Sequence, residues 1–417
     1  MKRLAFSRLA LCVLCGASIT LLIPGLAFAG WVTQNSGTTS HLWSVHFPVD
    51  ALTGYAVGTI GTIRKTTNGG ANWFSQSLGI TNWLYSVHFP LNTLTGYAVG
   101  DSGVIRKTTD GGANWLPQTS GTTRWLYSVH FPVDASTGYV GGQLGIILKT
   151  TNGGTIWVLQ PSGTGNWLFS VHFPVDAQTG YAVGGGGLIL KTTNGGANWV
   201  LQTSGTTSEL HSVHFPVDAS TGYIVGRFGT ILKTMDGGTN WVLQTSSTTN
   251  DLFSVHFPVN ATTGYAVGGY TGINGRILKT TDGGTNWVPQ TSGTTSTLYL
   301  VHFPVDALTG YIVGQFGTIL KTTDGGSGVE ESRQGDKGTR GQGERLRATP
   351  NPFTSFATLP GHEAERFSLY DVSGRKVGTF RGDRVGEGLA PGVYFLKYQE
   401  MLKQVQHDEI VRIVKVR

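Results

Sequence analysis

The sequence predicts an all-β chain, a seven-bladed β-propeller closed by its N-terminal strand with a small β-sandwich-like domain behind it, and three observations carry that prediction. The first is a period. "SVHFP" or a variant starts at Ser44, Ser86, Ser128, Ser170, Ser212, Ser254 and Leu300, a spacing of 42 residues five times and then 46. Repeats of about 40–45 residues rich in Gly, aromatic and β-branched residues are propeller blades of four short strands. Helical repeats of similar length are excluded, because "NGG", "DGG" and "TGY" interrupt every unit before a helix can develop. The second observation is a turn followed by a tryptophan, "KTTNGGANWV" at 191–200, with near-copies at 65–74, 107–116, 149–158, 233–242 and 279–288. A seventh copy at 321, "KTTDGGSGVE", breaks off before its tryptophan. The third observation supplies what is missing: "GWVTQNSGTT" at 30–39 matches "NWVLQTSGTT" at 198–207, so Trp31 stands where Trp199 stands. The N-terminal strand is therefore expected as the outer strand of the last blade, which leaves the ring without a free edge.

Residues 1–29 read as a secretory signal peptide. Lys2, Arg3 and Arg8 precede an apolar stretch from Leu9 to Ala29, and "AFA" before Gly30 supplies small residues for cleavage. The alternative is an uncleaved membrane anchor, which Pro24 and the small-residue site disfavour. Both cysteines, Cys12 and Cys15, fall in this segment, so the mature chain is expected to carry neither disulfide nor cysteine metal site nor membrane span.

Within a unit the strands follow from alternation and turns. In the fourth, "LFSVHF" (168–173) is the innermost strand and "YAVG" (181–184) the second, reached through "PVDAQTG". "LILKT" (188–192) is the third strand, and "TNGGAN" leads to the outer strand "WVLQT" (199–203). The propeller is assigned to 30–326. Residues 327–347, Gly- and charge-rich with few apolar residues, read as a flexible linker. In the remainder, 348–417, "TPNPF" (349–353), "FSLYDVSGRKV" (367–377), "LAPGVYFLKY" (389–398) and "IVRIVKVR" (410–417) read as short strands.

Two family resemblances rest on these segments. "KTTDGGTNW" (279–287) resembles the Asp-box turn of sialidases and related propellers, and the unit at 170–199 resembles the photosystem II assembly and stability factor family. That likeness spans 30–326 and implies a seven-bladed propeller, and by analogy an assembly factor for a membrane protein complex. The tail, with "YDVSGR" and "PGVYFLK", is similar to the C-terminal sorting domain of type IX secretion substrates, which implies Sec export followed by passage to the cell surface. It departs from that pattern in being short by a strand after Phe353 and in the long polar segment 399–409.

Charge excludes one partner class. The net charge of +6 resides outside the repeats: 30–328 holds 12 Lys+Arg and 12 Asp+Glu, while the signal and the tail each contribute +3. Without a basic stripe, nucleic acid is not expected as a partner. Residues identical in every blade are expected to build the ring. This applies to the histidines His46 to His302, which read as packed between blades and hydrogen-bonded rather than as metal ligands; no cofactor is expected.

Residues that break the repeat are the candidates for function. The position four before the "VHF" valine runs His41, Trp83, Trp125, Trp167, Glu209, Asp251, Thr297. The tip between second and third strands runs Thr59-Ile60, Asp101-Ser102, Gln143-Leu144, Gly185-Gly186, Arg227-Phe228, "GYTGIN" and Gln315-Phe316. In an up-and-down blade both lie at the same end of the sheet. Trp83, Trp125 and Trp167, with Glu209, Asp251, Arg227, Phe228 and Asp101, are the expected contact residues of a monomeric surface-exposed binding module for a glycan or an envelope protein. The runner-up is a sialidase-like or other glycoside hydrolase, with Glu209 and Asp251, which occupy the same position of adjacent blades, as its carboxylates.

Overall fold

The computed structural model describes residues 30–76, 79–270 and 274–327 and, further on, 366–371, 376–381, 384, 392–398 and 410–415. The expected signal (1–29), nearly all of the linker and the strand at 349–353 lie outside the described residues. The chain divides into two compact units, 1–331 and 332–417.

The first unit contains seven four-stranded antiparallel sheets. The second blade is typical: Leu84–His88, Gly96–Gly100, Ile105–Thr108 and Leu116–Gln118 pair in sequence order. The ring closes as the N-terminal tryptophan requires. Val32–Gln34 pairs with Ile319–Thr322 in the sheet whose other strands are Gly310–Gly314 and Leu298–His302, with Val32 opposite Lys321 and Gln34 opposite Ile319. Trp31 is buried edge-on to Tyr265 and Phe303, and its indole N–H donates to Gln290 Oε1 at 3.0 Å.

Successive blades pack through apolar clusters that always draw on two sheets. Tyr97 and Val99 of the second blade, for instance, meet Leu126, Val129, Phe131 and Trp157 of the third. A polar clasp reinforces each junction. Tyr55 Oη and Lys65 Nζ both donate to the Gly111 carbonyl, at 2.9 and 2.7 Å, so one blade holds the Asx-Gly-Gly turn of the next. The last blade clasps the first in the same way, through Tyr311, Lys321 and the Gly69 carbonyl. The turn itself is built by Thr108 and Asp110: Thr108 Oγ1 accepts the Gly112 N–H, and Asp110 Oδ1 accepts the Asn114 N–H. The repeated Lys and Asx residues are thereby accounted for as scaffold.

In the second unit, Arg366–Asp371, Lys376–Arg381, Gly392–Tyr398 and Ile410–Lys415 form one antiparallel sheet. "FSLYDVSGRKV" thus contributes to two of these strands, Arg366–Asp371 and Lys376–Arg381. The β-sandwich expected here would need a second sheet, and the described residues contain none.

Candidate binding face

Each blade places two loops at the same end of its sheet, the loop leading into the first strand and the tip between the second and third. Seven backbone hydrogen bonds join them. The tip N–H of Thr59, Asp101, Gln143, Gly185, Arg227, Gly269 and Gln315 donates to the carbonyl of His41, Trp83, Trp125, Trp167, Glu209, Asp251 and Thr297 respectively. The two sets of variable residues therefore share one face, called upper here. The contact needs glycine behind it: a Cβ on Gly100 would lie 1.8 Å from the Trp83 carbonyl oxygen.

Trp83, Trp125 and Trp167 are each about 40% exposed and do not stand alone. Two residues after each, on the first strand, comes a side chain directed to the axis. Trp43, Tyr85, Tyr127, Phe169, His211, Phe253 and Tyr299 close a ring with centroid spacings of 4.1–5.8 Å. The three tryptophans interleave with it: Trp125 lies 6.0 Å from Tyr85 and 6.4 Å from Tyr127, and Trp167 lies 6.0 Å from Tyr127 and 6.2 Å from Phe169. Trp83 stacks on Trp43 at 6.4 Å. Burial pushes the Tyr127 phenol up to about 12, and its hydroxyl is enclosed without a hydrogen-bond partner. The result is a two-tier aromatic mouth over half of the face.

This inner ring escaped the sequence reading. Its signal was the residue before the serine of "SVHF", aromatic or histidine in every unit but never uniform enough to register as a motif.

The polar candidates meet on the adjoining arc. Arg227 lies between two carboxylates, with Nη1 3.7 Å from Glu209 Oε2 and Nε 3.7 Å from Asp251 Oδ2. Its guanidinium covers the exposed Phe228 ring at 5.1 Å. Glu209 also lies 3.7 Å from His211 Nε2. Asp251 corrects an expectation: it is buried rather than ligand-facing, because its Oδ1 accepts the Phe228 N–H at 2.9 Å and the Tyr270 hydroxyl at 3.3 Å. Its role is to hold the Arg227-Phe228 tip. Asp101 acts similarly at the first tryptophan, accepting the Trp83 N–H at 3.1 Å and the Asn82 amide at 2.6 Å. Glu209 and Asp251 do approach one another through Arg227, but a shared cation compensates both instead of leaving them opposed across an open cleft.

Below the aromatic ring lies a second ring, His46, His88, His130, His172, His214, His256 and His302, with centroids 4.8–5.4 Å apart. Each imidazole bonds the backbone of the phenylalanine in the next blade. In four, Nδ1 accepts the N–H of Phe89, Phe131, Phe173 or Phe257 at 3.2–3.3 Å. In His172, His256 and His302 the ring N–H donates to the carbonyl of Phe215, Phe303 and Phe47. Seven points about 5 Å apart on a closed ring lie roughly 6 Å from its axis, far beyond the roughly 2 Å of a histidine–metal bond. Among the described residues no group of His, Asp, Glu or Cys is arranged to hold a metal ion.

Comparison with known proteins matches this arrangement at the level of family. A family profile described as "Photosynthesis system II assembly factor YCF48" matches residues 23–116, 72–161, 157–247 and 202–289, the overlaps reflecting the internal repeat. The chain belongs to that family. Two solved YCF48 structures are similar in fold. One, described as YCF48 bound to D1 peptide, is 22% identical with a TM-score of 0.60, covering 72% of this chain and 99% of its own. The other, YCF48 from Cyanidioschyzon merolae, is 20% identical with a TM-score of 0.58, covering 70% and 98%. No curated protein matches the chain. In this YCF48-family propeller, then, the blade scaffold is the family's.

Proposed function

We propose that the protein is a binding module whose ligand sits on the aromatic mouth of the upper face, and that the ligand is a segment of another protein. The observation that carries this reading is the set of three half-exposed tryptophans supported by a closed aromatic ring, because rigid aromatic side chains supply large contact area at low entropy cost. Arg227 and Glu209 give the rim its polarity. A protein ligand is supported over a glycan by the similar solved structure, which holds a peptide. Family membership extends the reading to assistance in assembling a larger protein complex.

Changing Trp83, Trp125 and Trp167 together to alanine tests the site. Screened against peptide and glycan arrays, the full chain is expected to retain peptides that the triple variant loses by about thirtyfold or more, with its melting temperature little changed. Retention of glycans alone, or binding untouched by the triple change, would overturn the reading.

We also infer export to the cell surface, through the N-terminal signal and a type IX-like sorting tail. Its support is the likeness of "YDVSGR" and "PGVYFLK" to sorting-domain motifs. Truncation after 347 is expected to abolish surface display in cell fractionation, and undiminished display would refute it.

A further inference from the structure

We infer that the tips of the upper face form a second contact ring outside the aromatic mouth, shaped to hold an apolar polypeptide segment of a partner protein; this rests on the binding reading above. The first observation is conformational. Ile60, Leu144, Phe228 and Phe316 occupy equivalent tip positions with φ of 55°, 55°, 56° and 54°, a left-handed backbone that glycine adopts freely and that bulky or β-branched residues adopt under strain. The fold itself accepts glycine there, since the fourth blade has Gly186 at φ 69° with only the Asn166 amide nearby.

The second observation is exposure. Those four side chains are 45–64% exposed, and Tyr270 at the sixth tip is 37% exposed. Backbone strain is therefore borne by residues whose side chains return little burial to the fold. What contacts they make hold them upright: Phe316 packs 5.1 Å from His41, and Phe228 lies under Arg227.

Size and chemistry select the occupant. At about 200 Å² for a large side chain, these five and the three tryptophans, roughly half exposed, offer some 700–800 Å², about what each partner contributes to a standard protein–protein interface. A sugar stacks on flat rings and needs hydrogen-bonding neighbours, and the aliphatic Ile60 and Leu144 supply neither. Beside Phe228 opens a cavity of about 410 Å³ whose lining is mixed, Leu232, Trp241 and Leu243 standing among Ser204, Thr206, Thr230 and Gln244, so it offers a side chain both apolar contact and hydrogen-bonding partners.

The test exploits the strain. Changing Ile60, Leu144, Phe228 and Phe316 together to glycine, in the full chain, is expected to hold or raise the melting temperature while weakening apolar peptides, selected on the native protein from a random phage-displayed library, by about tenfold or more. A lowered melting temperature would make the tips packing residues and overturn the inference. Selected peptides that bind the variant as well as the native chain would also overturn it, as would a library yielding no binders. Concentration-dependent dimers in sedimentation that the glycine variant abolishes would replace the partner by a second copy. Peptides lost by the tryptophan triple but kept by the glycine variant would leave the mouth standing and remove only the outer ring, and the reverse pattern would remove the mouth.

Discussion

Acid should open the propeller well before its carboxylates titrate. Each of the seven axial histidines is held below its ordinary range, first by burial and in several cases further by neighbouring imidazoles: His88 and His256 to about 3, His172 and His302 to about 4, and His46, His130 and His214 well below normal. Above the unfolded pKa near 6.5 both states are neutral at these sites and pH has no leverage. As pH falls below that value the unfolded chain takes up protons that the folded ring refuses, so stability declines until the folded values are reached. At pH 5, about 1.5 below the unfolded pKa, the penalty is about 2 kcal/mol per histidine. For the four held at about 3 or 4 this sums to about 8 kcal/mol, an upper figure because neighbouring imidazoles titrate together. A typical domain has roughly 5–15 kcal/mol in all.

The geometry adds a direct cause, because protonating Nδ1 of His46, His88, His130 or His214 removes the acceptor of an inter-blade N–H. Asp110 and Asp236, lowered to about 2 chiefly by the N–H of Asn114 and Asn240, begin to lose their contribution only as pH falls through the unfolded carboxylate value near 4, so the interval from 6.5 to 5 belongs to the histidines. Melting followed by tryptophan fluorescence is expected to fall steeply across that interval. His88→Asn with His214→Asn should flatten the fall even where it lowers the plateau. A melting temperature level from pH 7.5 to pH 5 would refute the reasoning.

Two further perturbations concern the scaffold. Ser247 adopts φ 56° where the other leading loops have glycine, at φ 66–73° and mostly in open space, so Ser247→Gly is expected to stabilise by about 0.5–1 kcal/mol and raise the melting temperature by about 1–3 °C; a lower melting temperature would contradict this. Trp31→Ala removes the closing strand's only large buried side chain, with an expected cost of about 3–5 kcal/mol and accelerated amide exchange at 319–322, where unchanged exchange would argue against closure by the N-terminal strand.

The architecture was legible because a repeat states its own rules seven times. The match of Trp31 to Trp199 was enough to join the two ends of the chain, since only a closed ring gives that tryptophan the neighbours its counterparts have. The shared face of the tips and leading loops was legible for a similar reason, as both loops must fall at one end of an up-and-down sheet. The same logic misled at Asp251. Placed in a variable column beside Glu209, it read as a ligand-facing charge. The side chain instead turns inward to the Phe228 N–H, and no spacing in sequence reveals which way a carboxylate turns.

The inner aromatic ring and the strained tips were hidden by a different circumstance. Trp43, Tyr85, Phe169 and His211 differ enough to look like drift, and they become a structure only once the strands bring them within ring-stacking distance across blades 42 residues apart. Ile60 reads as an ordinary strand-former until its φ of 55° is known. Sign of φ is set by the two-residue tip and the glycine after it: a Cβ on Gly103 would lie 1.9 Å from the Thr122 carbonyl oxygen, so the turn cannot relax by exchanging conformations between its residues. The residue before that glycine is thereby committed to the left-handed region whatever its side chain. Where the residue there is glycine the backbone is unstrained, whereas exposed isoleucine, leucine and phenylalanine need a reason outside the isolated chain, and a surface that meets another polypeptide supplies one.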